Sequence, residues 1–135
     1  MKIINKKGNL FDSKATILCH QVNGMGVMGS GVAKQVKDRY PRVFEMYKKA
    51  CDSDLFKLGS CQVVAVDETK KKFVANLCGQ WNFGYDNKRY TSYDAISNYS
   101  WTLGWDSNGF YLQTTSHRVY PHIVVESAFG ISYKP

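Results

Sequence analysis

Residues 20–33 read HQVNGMGVMGSGVA, and the way this stretch divides decides the fold. Upstream, Ala15 to Val22 (ATILCHQV) is rich in β-formers, and its first half is continuously apolar, which suits a strand covered on both faces. Residues 24–31, GMGVMGSG, carry glycine at a density that no helix or strand interior tolerates, because each one costs conformational entropy; they form a loop. Downstream, Val32, Val36, Tyr40, Val43 and Tyr47 recur at spacings of four or three and share one helical face, while Lys34, Lys37 and Asp38 fall elsewhere. Pro41 divides this stretch into two helices and suits the first turn of the second.

A strand, then Asn23, then a glycine-rich loop, then a helix start is a cradle for phosphate. Glycines let backbone N–H groups approach an anion with no Cβ in the way, and the helix start adds free N–H groups and partial positive charge. Gly24, Gly26 and Gly29 spell GxGxxG, the dinucleotide fingerprint. That motif also needs an acidic residue about 20 positions on, at the end of the next strand. Glu45 has the spacing but lies in the second helix, and the strand-ending Asp67 is too far along. A nicotinamide-type domain therefore fails on context, and a P-loop fails because no Gly-Lys-Ser/Thr follows.

Outward from this centre, Ile3-Ile4 makes a short strand, with turn signals at Gly8-Asn9 and Asp12-Ser13. Gly59-Ser60 ends a loop; Cys61 to Val66 and Phe73 to Cys78 are strand-like and fit a hairpin across the turn at residues 67–70. Residues 79–90 are a polar and aromatic loop, and Thr91 or Ser92 fits the cap of a helix beginning around Tyr93. After Ile96 the periodicity fails; residues 110–112, 123–125 and 128–131 look like short strands. The order strand, helix, strand pair, helix predicts a layered α/β or α+β fold.

The 135 residues suggest a single domain, 1–135, with no repeat and no linker. No stretch approaches the roughly 20 apolar residues of a membrane span, and the basic start lacks the apolar run of a signal peptide, so a cytoplasmic protein without a membrane partner is expected. The net charge of +7 fits a phosphate-bearing partner, although the basic residues are spread out rather than gathered in one tract. Cys19, Cys51, Cys61 and Cys78 form no CxxC pair and read as small, buried residues; no metal site and no cofactor are expected.

Five segments taken together, Gly8-Asn9-Leu10-Phe11, HQVN at 20–23, GVMGSGVA at 26–33, FVANLCGQ at 73–80 and RYTSYDAI at 89–96, resemble the macrodomain family, in the bacterial and phage branch related to the terminal ADP-ribose glycohydrolases. The resemblance covers about residues 1–96. It implies a three-layer α/β/α fold with a mixed, mostly parallel central sheet, atypical or incomplete at the C-terminus, and an ADP-ribose cleft at the strand ends. Gly8, Asn9 and Leu10 match the segment whose acidic residue accepts from the adenine amino group, with Asn9 standing in for the acid. His20 falls near the ribose, and Asn23 matches the polar residue that meets the distal ribose. Gly26, Val27, Met28, Gly29, Ser30, Gly31 and Val32 match the loop that wraps that ribose and touches the diphosphate.

In the family a helix, a strand and a second glycine-rich loop follow the YDAI-like segment. Residues 97–135 do not follow that order and contain no such loop. The glycohydrolases' attacking lysine would fall near Leu77 to Gly79, where this chain has none; Lys88 lies in a different segment, and the acidic partner belongs to the second loop. By residue matching neither catalytic group is present. His20 fits a general base or, as a single histidine at a strand end, hydrogen-bonded scaffold. His117 and His122 have no metal spacing, and nothing ties Asp94 to Glu126. Trp81, Phe83, Tyr85 and Tyr90 suit either stacking on a base or packing under their loop.

The expected function is binding of ADP-ribose, or of a protein or nucleic acid that carries it. The alternatives are hydrolysis of ADP-ribose derivatives (ADP-ribosylated protein or nucleic acid, ADP-ribose 1''-phosphate, O-acetyl-ADP-ribose) and, from the charge and the loop aromatics, basic nucleic-acid binding. Gly29→Glu should abolish ADP-ribose binding in a calorimetric titration by blocking the cradle and repelling phosphate; unchanged affinity would mean that the loop is misassigned.

Overall fold

A computed structural model describes residues 2–5, 8–67, 69, 72–84 and 92, together with the backbone of five strands beyond residue 100. The elements run β1 (Lys2–Asn5), a single 3-10 turn (Leu10–Asp12), β2 (Ile17–Val22), α1 (Gly31–Arg39), α2 (Pro41–Asp52), β3 (Cys61–Asp67), β4 (Lys72–Cys78), β5 (Thr102–Asp106), β6 (Gly109–Gln113), β7 (Arg118–Val119), β8 (Val125–Ser127) and β9 (Ile131–Lys134). The two helices break where the sequence places the break, with Pro41 in the first turn of α2. Val36, Val43 and Tyr47 of the apolar stripe are buried; Tyr40 sits at the junction and is half-buried.

Six strands form the main sheet in the order β1-β9-β8-β2-β4-β3. β2 lies at its centre, parallel to β8 on one side and to β4 on the other. The pairings β1–β9, β8–β9 and β3–β4 are antiparallel, so the sheet is mixed, with β1, β8, β2 and β4 running one way and β9 and β3 the other. Chain length explains this: β8 to β9 and β3 to β4 are joined by segments too short for a crossover, which leaves antiparallel pairing as the available geometry.

The C-terminal part belongs to this sheet. β8 flanks β2 directly, and β9 ties β1 to it. The expected strands at 123–125 and 128–131 lie two or three residues further on, at Val125–Ser127 and Ile131–Lys134. A separate three-stranded sheet, β5-β6-β7, fills the stretch between. β5 had no helical stripe to announce it; it pairs antiparallel with β6, Asp106 opposite Gly109. The helix expected from Tyr93 lies outside the described residues.

The core is built on one face of the sheet. Leu18 and Val22 of β2, Val64 of β3 and Val74 and Cys78 of β4 meet Val36 of α1, Val43 and Tyr47 of α2, and Phe56. Tyr47 and Phe56 meet edge to face, with ring centroids 5.7 Å apart. Residues of β2 on the other face, Ile17 and Cys19, are also buried, as a doubly covered strand requires. No helix among the described residues is long and apolar enough to cross a membrane.

Candidate functional site

β2 runs out of the sheet centre into the glycine-rich loop, and a cavity of about 310 Å³ opens where it does so. Of the residues expected at a ligand site, His20, Asn23, Val27, Gly29, Ser30 and Val32 line it. Gln21, Val22 and Ala33 join them from β2 and α1, and Gln80 and Phe83 from the segment after β4. Gln21 Nε2 donates to Gln80 Oε1 at 2.8 Å, holding the two strand ends together.

The loop is held from inside. Asn23 Oδ1 accepts from the N–H of Met25 (2.9 Å) and of Val27 (3.4 Å), and its Nδ2 donates to the Val27 carbonyl (2.8 Å). The Tyr47 hydroxyl rises from the core to donate to Asn23, with its oxygen 2.7 Å from Oδ1 and 2.8 Å from the main-chain carbonyl. Asn23, expected to meet a ribose, therefore also organises the loop. Tyr47, read from sequence only as a core position, supports it. Met28 is buried in the core and pins the loop's far half, while Met25 and Val27 point outward.

The glycines divide by role. At Gly24 a Cβ would lie 2.3 Å from Trp81 Cε3, so the glycine makes room for the indole; its N–H also donates to the Trp81 carbonyl at 3.0 Å. Gly26 has φ +78°, a conformation that favours glycine, and packs on Lys48. At Gly29 a Cβ would meet only Val27 Cγ1 at 3.5 Å, an ordinary contact. A side chain at Gly29 is therefore compatible with the fold and falls on the cavity wall. Gly31 opens α1, whose N-cap Ser30 makes no side-chain capping bond, so the first amides of the helix keep their donors free of a cap beside the cavity.

His20 is buried and neutral. Asn76 Nδ2 donates to Gln62 Oε1 (3.0 Å), and Gln62 Nε2 donates to the Met46 carbonyl (3.1 Å), which fixes Asn76 Oδ1 as the acceptor facing His20. His20 thus donates through Nε2, 2.6 Å from Asn76 Oδ1. Nδ1 is a bare acceptor with no partner among the described residues. Burial holds the imidazole pKa down at about 4, against a smaller upward push from the Asn76 bond. Such a group is a poor base near neutral pH, which favours scaffold and acceptor over general base.

Gly8, Asn9 and Leu10 do not line the cavity. Asn9 caps the 3-10 turn, its Oδ1 accepting from the Phe11 N–H at 2.9 Å, and Leu10 packs against the core. Leu77, Cys78 and Gly79, where a lysine would be matched, are buried at the end of β4. The four cysteines form no disulfide; burial raises the pKa of Cys61 and Cys78 to about 12 and pushes Cys19 higher still, so these three stay protonated. Among the described residues no cluster of His, Cys, Asp or Glu is arranged to hold a metal. Asp94, Glu126, His117, His122, Tyr85, Tyr90 and Lys88 lie outside the residues whose side chains are described.

No protein-family model matches the chain. It is 42% identical over 57 residues to a DNA ADP-ribosyl glycohydrolase of Mycobacterium tuberculosis, covering 42% of this chain and 16% of that protein. It is 38% identical over 53 residues to an ADP-ribose 1''-phosphate phosphatase of Neosartorya fischeri, covering 38% of this chain and 26% of that one. The macrodomain of Mycobacterium tuberculosis DarG superposes with a TM-score of 0.62 at 28% identity, over 70% of this chain and 60% of that one. The chain thus spans well under a third of the length of these curated relatives.

Two expectations follow. The unfolded chain's imidazole protonates as pH falls through about 6.5, while the folded one resists until about 4, so His20's contribution to stability is whole above pH 6.5 and is lost as pH falls toward 4. In urea melts, the wild type should lose on the order of 2 kcal/mol more than His20→Gln between about pH 7 and about pH 5; parallel curves would contradict the buried neutral imidazole. Tyr47→Phe keeps the core shape but removes the loop's support, and should cost about 1–2 kcal/mol in the same melts while weakening ADP-ribose binding; full stability with full affinity would remove Tyr47 from the site.

Proposed function

We propose that this chain, which shares sequence and fold with macrodomains over part of its length, binds ADP-ribose or a macromolecule that carries it, in the cavity between the end of β2 and the start of α1. The observation that carries the reading is the loop itself. Residues 24–30 are held by Asn23, Tyr47 and Met28, and they run into a helix whose first amides have no side-chain cap. Backbone donors and a helix start suit a diphosphate, and the polar amides of Gln21, Asn23 and Gln80 suit sugar hydroxyls.

Hydrolysis is the second reading, and the relatives' names favour it: one is a DNA ADP-ribosyl glycohydrolase, another a phosphatase of ADP-ribose 1''-phosphate. The cavity wall favours binding. Among its described residues it carries no lysine and no carboxylate, and its one imidazole is held neutral with Nε2 already committed. Isothermal titration with ADP-ribose, with AMP and NAD as controls, tests the proposal. Micromolar, ADP-ribose-selective binding is the expected outcome; no heat from a well-folded sample would overturn it. Release of free ADP-ribose from modified DNA would move the protein to the hydrolytic reading.

A further inference from the structure

β3 is the last strand of the main sheet, with β4 as its strand partner, so its other side is an edge. Two hydrogen bonds of β4 fix which main-chain groups lie along that edge. The Phe73 N–H donates to the Thr16 carbonyl, toward β2, and the Cys78 N–H donates to the Ser60 carbonyl, toward β3. Successive residues of a strand alternate in direction, so Val74 and Asn76 turn their main-chain groups to β3, where Val64 and Gln62 stand opposite them. Val63 and Ala65, opposite Ala75 and Phe73, therefore turn their N–H and C=O groups outward. Among the described residues neither makes a main-chain bond to a loop, a turn or another segment.

Sheet edges are guarded in most proteins by a charge, a proline or a bulge, because outward main-chain groups recruit further strands. From Cys61 to Val66 (CQVVAV) β3 has no charge and no proline, and half its residues are valine. Its pairing with β4 stays regular through Ala65, and the bulge comes only after that. α2 borders this edge on the core face: Gln62 Nε2 donates to the Met46 carbonyl, and the Met46 side chain is exposed. Leu55 and Leu58, in the stretch that leads from α2 into β3, are exposed as well.

We infer that β3 pairs antiparallel with the β3 of a second copy of this chain, about a two-fold axis at Val64, so that two main sheets join into one. The strand is complementary to itself. About that axis Val63 lies opposite Ala65 of the second copy, and Ala65 opposite Val63. All of these have outward groups, so they exchange N–H···O bonds in both directions around a central Val64–Val64 pair. No like charges meet, because residues 61–66 carry none. A foreign strand would use the same main-chain bonds, but a second copy also brings an exposed Met46 to the seam from the helical layer of each sheet. The net charge of +7 on each copy opposes their approach at long range, so the pair should hold better where salt screens it. The inference stands apart from the ADP-ribose reading, since no residue of β3 lines the cavity.

The test is sedimentation velocity over a protein dilution series at about 0.05 M and about 0.5 M salt, with amide hydrogen exchange as the residue-level readout. A dimer should form with a dissociation constant of roughly 1 to 100 µM, tighter at the higher salt. As it forms, exchange at Val63 and Ala65 should slow, while Gln62 and Val64, already turned to β4, keep their rates. Ala65→Pro removes an outward N–H and takes no bond from the β3–β4 ladder; it should weaken the dimer roughly 10- to 100-fold. Met46→Lys sets a cation on each side of the seam at an exposed position, should weaken the dimer in the same direction, and decides the matter where Ala65→Pro fails to fold. Monomer at every concentration and both salts would overturn the inference. So would a dimer that neither variant weakens, or one whose Val63 and Ala65 amides exchange as fast as the monomer's. A protein that stays monomeric, but whose two amides are slowed by a synthetic peptide of residues 60–67, would assign the edge to a foreign strand and overturn the pairing of two copies.

Discussion

The hydrogen bond from Tyr47 to Asn23 joins the core to the loop, and the site depends on it. A tyrosine hydroxyl buried among apolar side chains costs free energy unless it is paired. Here its partner is the residue at which β2 ends and the glycine-rich segment begins. Asn23 then passes the constraint on, through Met25 and Val27, to the part of the loop that faces the cavity. The packing of α2 on the sheet thereby sets the position of the loop amides. Glycines make such a loop possible, but they do not by themselves make it hold one shape.

The sheet supplies the other half of the constraint. Ligand sites in α/β folds gather beyond the carboxyl ends of parallel strands, and β2 is the strand here with parallel neighbours on both sides. One of those neighbours, β8, comes from the C-terminal stretch that departs from the macrodomain pattern. That stretch therefore matters to the site as flanking support for β2. The polar ladder His20–Asn76–Gln62 crosses the other side, from β2 over β4 to β3, and ends on the Met46 carbonyl of α2. A buried ladder of this kind is tolerated where its members are satisfied, and its one open acceptor, His20 Nδ1, belongs to a residue of the cavity wall.

What the sequence made legible follows from how local each signal is. The strand–loop–helix unit at residues 17–39, the break at Pro41 and the β3–β4 hairpin rest on periodicity and on the backbone chemistry of glycine and proline, which act over a few residues. The placement of the C-terminal strands was less legible, because short strands without alternation take their register from partners far along the chain; β9 pairs with β1 across the whole length of the protein. Within the site, the same distinction separates Gly29 from Gly24 and Gly26. All three look alike in GMGVMGSG. Only the fold reveals that one faces the cavity, one accommodates an indole from residue 81, and one adopts a left-handed backbone over Lys48. Asn9, which the macrodomain resemblance places at adenine, also suits a turn cap after a glycine, and its side-chain oxygen caps the 3-10 turn.

Charge and site are separated in this molecule. The net charge of +7 suggested a phosphate partner, but among the described residues no lysine or arginine lines the cavity. In the proposed reading, recognition of phosphate falls to main-chain amides and the start of α1, which are fixed in direction and cannot be drawn away by a competing carboxylate. Lysines near the loop illustrate the contrast: Lys48, beside Gly26, is bonded to Asp52, and Lys34, in α1, to Asp38. Such exposed pairs contribute little to stability, but they keep flexible ammonium groups occupied near the cradle. The remaining positive charge acts at longer range, where it raises the local concentration of polyanions without specifying them. In the proposed reading, selectivity for the nucleotide then rests with the part that has one geometry, the Asn23-braced loop.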